Sequence, residues 1–273
     1  MLAHSEYGIY VACIIDGDSR MVLSLVAMQT KSAYWVYKLV LLPFLYIWGF
    51  PDQLVTDHGE EWCLSAFVCL FVQSLTGWAR RAGRLAARAT TSTRNQRVER
   101  FNRDLNVRNL IPVRMLVNHL QLRQLISRSD PRTLFAFSSL VLPLLQVGLD
   151  RHRAAHNEHD VRAVRGRPGS GGRPSVRAQR RPHPGPRLTA PTGFDPQRDP
   201  IAAWQAAGRT PLPQDAPATS LHADALHGQP MRQAARALAM KQLMPDPAAA
   251  WEELLAGNFV RFENAYIIWM QCR

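Results

Sequence analysis

Residues 90–104, TTSTRNQRVERFNRD, decide how this chain is read. Thr93 is placed to N-cap a helix, and Gln96 follows at the three-residue spacing of a capping box. A helix starting there puts Asn95 and Glu99 four residues apart, on one face. Arg94, Arg97, Arg100 and Arg103 surround that carboxylate with positive charge. Taken alone, a glutamate among arginines is an ordinary solvated ion-pair helix. The alternative is a carboxylate held for a cation beside a phosphate-binding face, and the flanking sequence decides between the two.

Upstream, residues 53–56 read as a short strand ended by Asp57, and HGEEW (58–62) turns the chain into an apolar helix over 62–75. Between 77 and 91 the pattern dissolves into Arg, Ala and Gly, Arg80 and Arg81 among them, with room for one short strand at 85–90 or a loop. Further back, IYVACII (9–15) and MVLSLVAM (21–28) are β-branched apolar runs, and DGDSR (16–20) between them is turn chemistry. They predict an antiparallel hairpin closed by Asp16. Residues 31–48 read as a helix kinked near Pro43.

Downstream, the Glu99 helix runs to about residue 109, a second covers 111–126, and residues 133–160 begin very apolar and end in RHRAAHNEH. There His152, His156 and His159 fall at i, i+4 and i+7. That spacing suits a metal face, but no fourth ligand accompanies it, so a solvated helix end is the simpler reading. The order of elements predicts an α/β fold, whose ligands bind beyond the carboxyl ends of strands, where Asp57 stands. The expected organisation is a core over 1–127, a helical extension over 128–160, a disordered Arg/Pro/Gly-rich linker over 161–229 and a helical segment over 230–273.

Composition narrows the classes. The 273 residues carry 33 Lys and Arg against 21 Asp and Glu, a net charge of +12, and only Lys31, Lys38 and Lys241 are lysines. Arginine forks match phosphate bidentately, which points to nucleic acid. A GC-rich coding sequence also enriches Arg, Ala, Gly and Pro, so for the second half of the chain both explanations stand. The four cysteines form no C-x-x-C pair, which disfavours a disulfide framework or zinc ribbon. The start, MLAHSEYG, lacks a basic signal-peptide n-region, and the apolar run 36–50 is too short to span a bilayer. No membrane association is expected.

LVTDHGEEW (54–62) together with STRNQRVERFNRD (92–104) resembles the D-x-G-x-E-[FW] segment and the N-x-x-x-E helix of retroviral-type integrase core domains and related DDE transposases. IIDGDSR and its flanking strands are similar to that family's second and third strands, and RHRAAHNEH resembles, more weakly, a segment following the core in relatives of transposon origin. The likeness covers about residues 7–160. It implies a ribonuclease H-like fold, phosphoryl transfer on DNA and a site holding Mg²⁺ or Mn²⁺ through Asp57 and Glu99. It also implies DNA contacts from Asn95, Arg80, Arg81, Arg94, Arg97, Arg100 and Arg103. The partner would be DNA, with a homo-oligomer open, and the compartment the nucleus in a eukaryote.

The pattern departs from the family in one place. A first Asp is required in a strand before the hairpin, yet no Asp precedes Asp16, which occupies the turn position. The core is therefore expected to be truncated at its first strand, and the enzyme incomplete as given. The alternative is a non-catalytic nucleic-acid-binding protein derived from a transposon, or an interaction protein whose arginines reflect codon composition. The 41 residues between Asp57 and Glu99 slightly exceed the family's usual interval, and the arginine-rich loop would absorb the excess.

Overall fold

The computed structural model describes residues 2–4, 7–57, 59–77, 83–90, 96–162, 171–180, 189–209, 224, 226 and 228–272. Strands β1 (Leu2–His4), β2 (Ile9–Ile15) and β3 (Val22–Met28) form an antiparallel sheet in that order, so a three-residue strand stands before the hairpin where the first strand was expected to be missing. Strands β4 (Leu54–Thr56) and β5 (Ala87–Ala89) form a separate parallel pair. Helices α1 (Ala33–Val36), α2 (Leu42–Trp48), α3 (Cys63–Thr76), α4 (Gln96–Leu105), α5 (Ile111–Leu122) and α6 (Pro131–Glu158) complete the region read as α/β. They are followed by α7 (Pro174–Arg180), α8 (Asp199–Ala206), α9 (Pro230–Leu243), α10 (Pro247–Leu255) and α11 (Val260–Gln271).

The hairpin forms where its sequence predicts it. Asp16 closes the turn: its backbone N–H donates to the Met21 carbonyl, and its carboxylate accepts from the Ser19 N–H and hydroxyl, both at 2.6 Å. Both faces of β2 and β3 are covered, which is why the sequence reads as near-continuous apolar runs. Ile9, Val11 and Leu25 enter the main core, whereas Tyr10, Ala12 and Met28 enter a smaller one with Val36, Val40 and Trp62.

The expected kink at Pro43 takes the form of a π-helical turn, Tyr37–Leu41, between α1 and α2. A second π turn, Asn106–Leu110, joins α4 to α5 in one unbroken helical run, where the sequence suggested two helices. Each π turn ends two residues before a proline, Pro43 or Pro112. Proline offers no N–H to the carbonyl four residues back and its ring crowds that carbonyl, so a widened turn relieves both.

Among the described residues β3 is, with β1, an outer strand of its sheet, and α6 covers it with two side-chain amides. Gln146 accepts from the Ala27 N–H at 3.0 Å and donates to the Leu25 carbonyl at 3.1 Å. Asn157 accepts from the Val22 N–H at 2.8 Å and donates to the Val22 carbonyl at 3.0 Å. These bonds satisfy backbone groups that a neighbouring strand would otherwise take. By length and composition α6 could cross a membrane, but 61% of its apolar window is buried inside the molecule.

Two expectations change. The segment 230–273 is helical, but it shares the main core with the sheet: Met240, Trp251, Phe262 and Tyr266 are buried with Phe137, Leu116 and Leu145. Trp251 seats on Gly148 of α6, where an added Cβ would meet the indole at 2.4 Å. Glu263 of α11 bonds His119 at 2.8 Å and pairs with Arg123 at 2.9 Å, tying α11 to α5. Second, within 161–229 the described residues form α7 and α8. Arg177 donates to the carbonyls of Asp18 and Ser19 on the hairpin turn. Trp204 is buried edge-on against Phe67 of α3, and the Tyr37 hydroxyl donates to the Pro196 carbonyl. A few aromatic anchors dock this piece, although its average composition is that of a linker.

Candidate functional site

Asp57 stands immediately after β4, as its motif predicts. β4 is held parallel to β5 in a register of Leu54 to Ala87 and Thr56 to Ala89. Two glutamines set that pairing: Gln73 bonds the Arg84 carbonyl and the Ala86 N–H, both at 2.8 Å, and Gln53 donates to the Leu85 carbonyl at 2.8 Å. Beyond the strand end, Asp57 is half-buried, and its Oδ1 accepts weakly from the Gly59 N–H at 3.3 Å. The Glu61 carboxylate folds over Gly59, within 2.7–2.8 Å of where a Cβ would sit. Glycine at 59 leaves that space open. Trp62 then anchors the loop in the smaller core, under the sheet.

Glu99 lies in the first turn of α4 and is exposed, as are Arg100 and Arg103. The opposite side of the helix inserts Phe101 and Leu105 into the main core. Burial of those two side chains orients a helix otherwise composed mostly of charged and amide residues. Thr93, the expected cap, lies outside the described residues, with Arg80, Arg81, Arg94 and Asn95; Arg97 belongs to α4, but its side chain is likewise not described.

Cys13 of β2 lies against the helix that carries Glu99. Its Sγ is 4.0 Å from Asn102 Oδ1, one helical turn beyond Glu99. Burial pushes its thiol up to about 11, partly offset by the chain's N-terminal charge, and the nearby Asp57 carboxylate raises it further. The arginine-bearing helix therefore packs over the middle of β2, and the Asp57 charge is felt there. Trp62 fills the aromatic position of the D-x-G-x-E-[FW] segment and Asn102 lies within the stretch that carries the second motif, whereas Cys13 belongs to neither and escapes a motif-based reading. Nothing in IYVACII singles it out, because both faces of β2 are apolar. Arg88, exposed on β5 opposite Val55, adds a cation near this strand end.

Carboxylate oxygens are the donors that Mg²⁺ prefers. Among the described residues, however, no group of three or more His, Cys, Asp or Glu side chains converges. Asp57 and Glu99 thus supply the right donor type without forming a closed metal clamp. Asp16 is committed to its turn. Of the three histidines expected at a solvated helix end, His159 is exposed, but His152 is buried and His156 half-buried, both packed on Phe101.

A family model described as Integrase core domain matches residues 4–169 of the chain. No curated protein and no solved structure matches it.

Proposed function

Because the chain belongs to the integrase core domain family, we propose that it is a DNA-binding core of the DDE transposase and integrase type, ribonuclease H-like in architecture, with Asp57 and Glu99 as its cation-facing carboxylates. The observation that carries this reading is that α4 presents Glu99, Arg100 and Arg103 together to solvent, while Asp57 stands at the carboxyl end of β4. Arg88, Arg100 and Arg103 would bind phosphates, releasing counterions as each is neutralised. The family's reaction is strand transfer assisted by divalent metal. Among the described residues no third carboxylate joins Asp57 and Glu99, fewer than a metal pair needs, so the proposed activity is binding of DNA, without a metal-dependent step.

Duplex binding measured against salt tests the reading. Affinity should fall steeply as salt rises, and Glu99→Gln, which removes a negative charge beside the arginines, should preserve or raise it. Arg100→Ala/Arg103→Ala should weaken binding and flatten the salt slope by about two phosphate contacts. With Mg²⁺ present, strand transfer by this chain should be undetectable. Salt-independent or absent binding would sink the DNA reading, and robust Mg²⁺-dependent transfer would sink the two-carboxylate argument.

A further inference from the structure

Two histidines one helical turn apart on α6 grip the helix that carries Glu99. Phe101 lies two residues beyond Glu99, and both imidazoles meet its ring at steep angles, with centroids 5.3 Å away for His152 and 5.0 Å for His156. His152 Nε2 is buried without a hydrogen-bond partner; Asp104 Oδ2 stands 3.5 Å away, too distant to serve as one. His156 Nε2 is 3.2 Å from the Arg20 carbonyl, in the turn between β2 and β3. One side chain thus touches both the hairpin and α4. The residue after it, Asn157, fixes β3 through Val22.

We propose that His152 and His156 are positioning residues for Glu99: as neutral rings they fix Phe101, and with it α4, against the hairpin, and a proton on either ring loosens that grip. The proposal rests on the reading of Glu99 given above, but its test uses neither DNA nor metal. The groups facing the pair are Asp104 from α4, Arg108 from the π turn beyond it, the Arg20 carbonyl from the hairpin, and His159 on α6 itself. Burial lowers both imidazoles below the ordinary histidine value. Asp104 opposes this at each ring, the Arg20 carbonyl opposes it at His156, and Arg108 adds to the lowering at His152. A lowered value means that the released state takes up protons more readily than the packed one. The grip is therefore complete above about pH 6.5 and weakens as pH falls below it.

Hydrogen exchange on the full chain tests this, comparing α4 with α3 at about pH 7.5 and about pH 5.5, either side of the histidine value, after correction for intrinsic exchange. In the wild type, α4 protection should fall severalfold at the lower pH while α3, which contains no histidine, holds. The double variant His152→Phe/His156→Gln keeps a ring edge and a side-chain donor but cannot titrate, so α4 should stay protected at both pH values. Phe101→Ala should lose α4 protection at both and show no step, and Glu99→Gln should keep the wild-type step. A wild-type α4 without a step, a step that survives in the double variant, or a parallel loss in α3 would each overturn the proposal. If DNA binding fails while the histidine-dependent step persists, the grip on α4 stands and only the assignment of the site falls.

Discussion

At the scale of single residues, the side chains that hold this molecule together are mostly not those its motifs advertise. Asn157 satisfies both polar groups of Val22 in a buried setting. Asn157→Ala should cost about 2 kcal/mol or more, because it leaves a buried donor and acceptor unpaired. Asn157→Asp can still accept but not donate, and should recover only part of that loss. Urea midpoints check both, and equal midpoints for wild type and alanine variant would remove the capping role. The thiols offer a second test. Cys69 is fully buried and pushed up to about 12, whereas Cys63 is exposed. Near pH 8, alkylation should modify Cys63 while Cys69 stays protected until the chain unfolds. Raised thiols also mean that the unfolded chain releases those protons first, so stability should decline as pH climbs past about 8.5. Equal alkylation rates at the two sites would contradict the burial assigned to Cys69.

At the scale of elements, what could be read from sequence followed from how local the signal was. The β2–β3 hairpin, the short strand before Asp57, α3 and the Glu99 helix were legible because apolar periodicity and turn residues specify them within a dozen positions. The π turns were not, since proline marks a disturbance without saying what form it takes. Nor was the role of Gln146 or Asn157, whose partners lie on β3 more than a hundred positions away. The inward-facing histidines were illegible for the same reason: their partner, Phe101, is on another helix. α8 was hidden by averaging, because Phe194 and Trp204 are isolated aromatics in a Pro- and Gly-rich stretch. Packing of α10 on α6 gives the sharpest test at this scale. Gly148→Ala would drive a Cβ into the Trp251 ring and should cost about 1–3 kcal/mol through overpacking. Trp251→Ala should cost about 3–5 kcal/mol. If Gly148→Ala unfolds at the wild-type urea concentration, the close seating of the indole is wrong.

For the molecule as a whole, one main core runs from the sheet through α4–α6 to the last helix. Phe137 of α6 meets Tyr7 and Phe262 edge-to-face, so the amino- and carboxyl-terminal parts share a buried ring cluster. Urea unfolding followed by tryptophan fluorescence and by far-UV circular dichroism should give one coincident transition. Two separated transitions would mean that residues 230–273 fold as a unit of their own. The strap bearing α8 belongs to a different core, against α3 and the segment around Tyr37. Limited trypsinolysis should spare Arg198 in the wild type and cut there in Trp204→Ala, with the rest of the pattern unchanged.

The two amides of α6 also constrain how this sequence can change length. Gln146 and Asn157 are 11 residues apart, about 16.5 Å along a helix, and they meet β3 at points near residues 26 and 22, about 14 Å apart along a strand. Helix and strand are thus two rulers of different pitch that coincide at two marks. Inserting or deleting one residue between 146 and 157 would rotate one amide about 100° off the strand while leaving the other in place. Substitutions can accumulate along that interval, but its length is fixed, and chains descended from a common ancestor should tolerate insertions and deletions in the loops well before they tolerate one there.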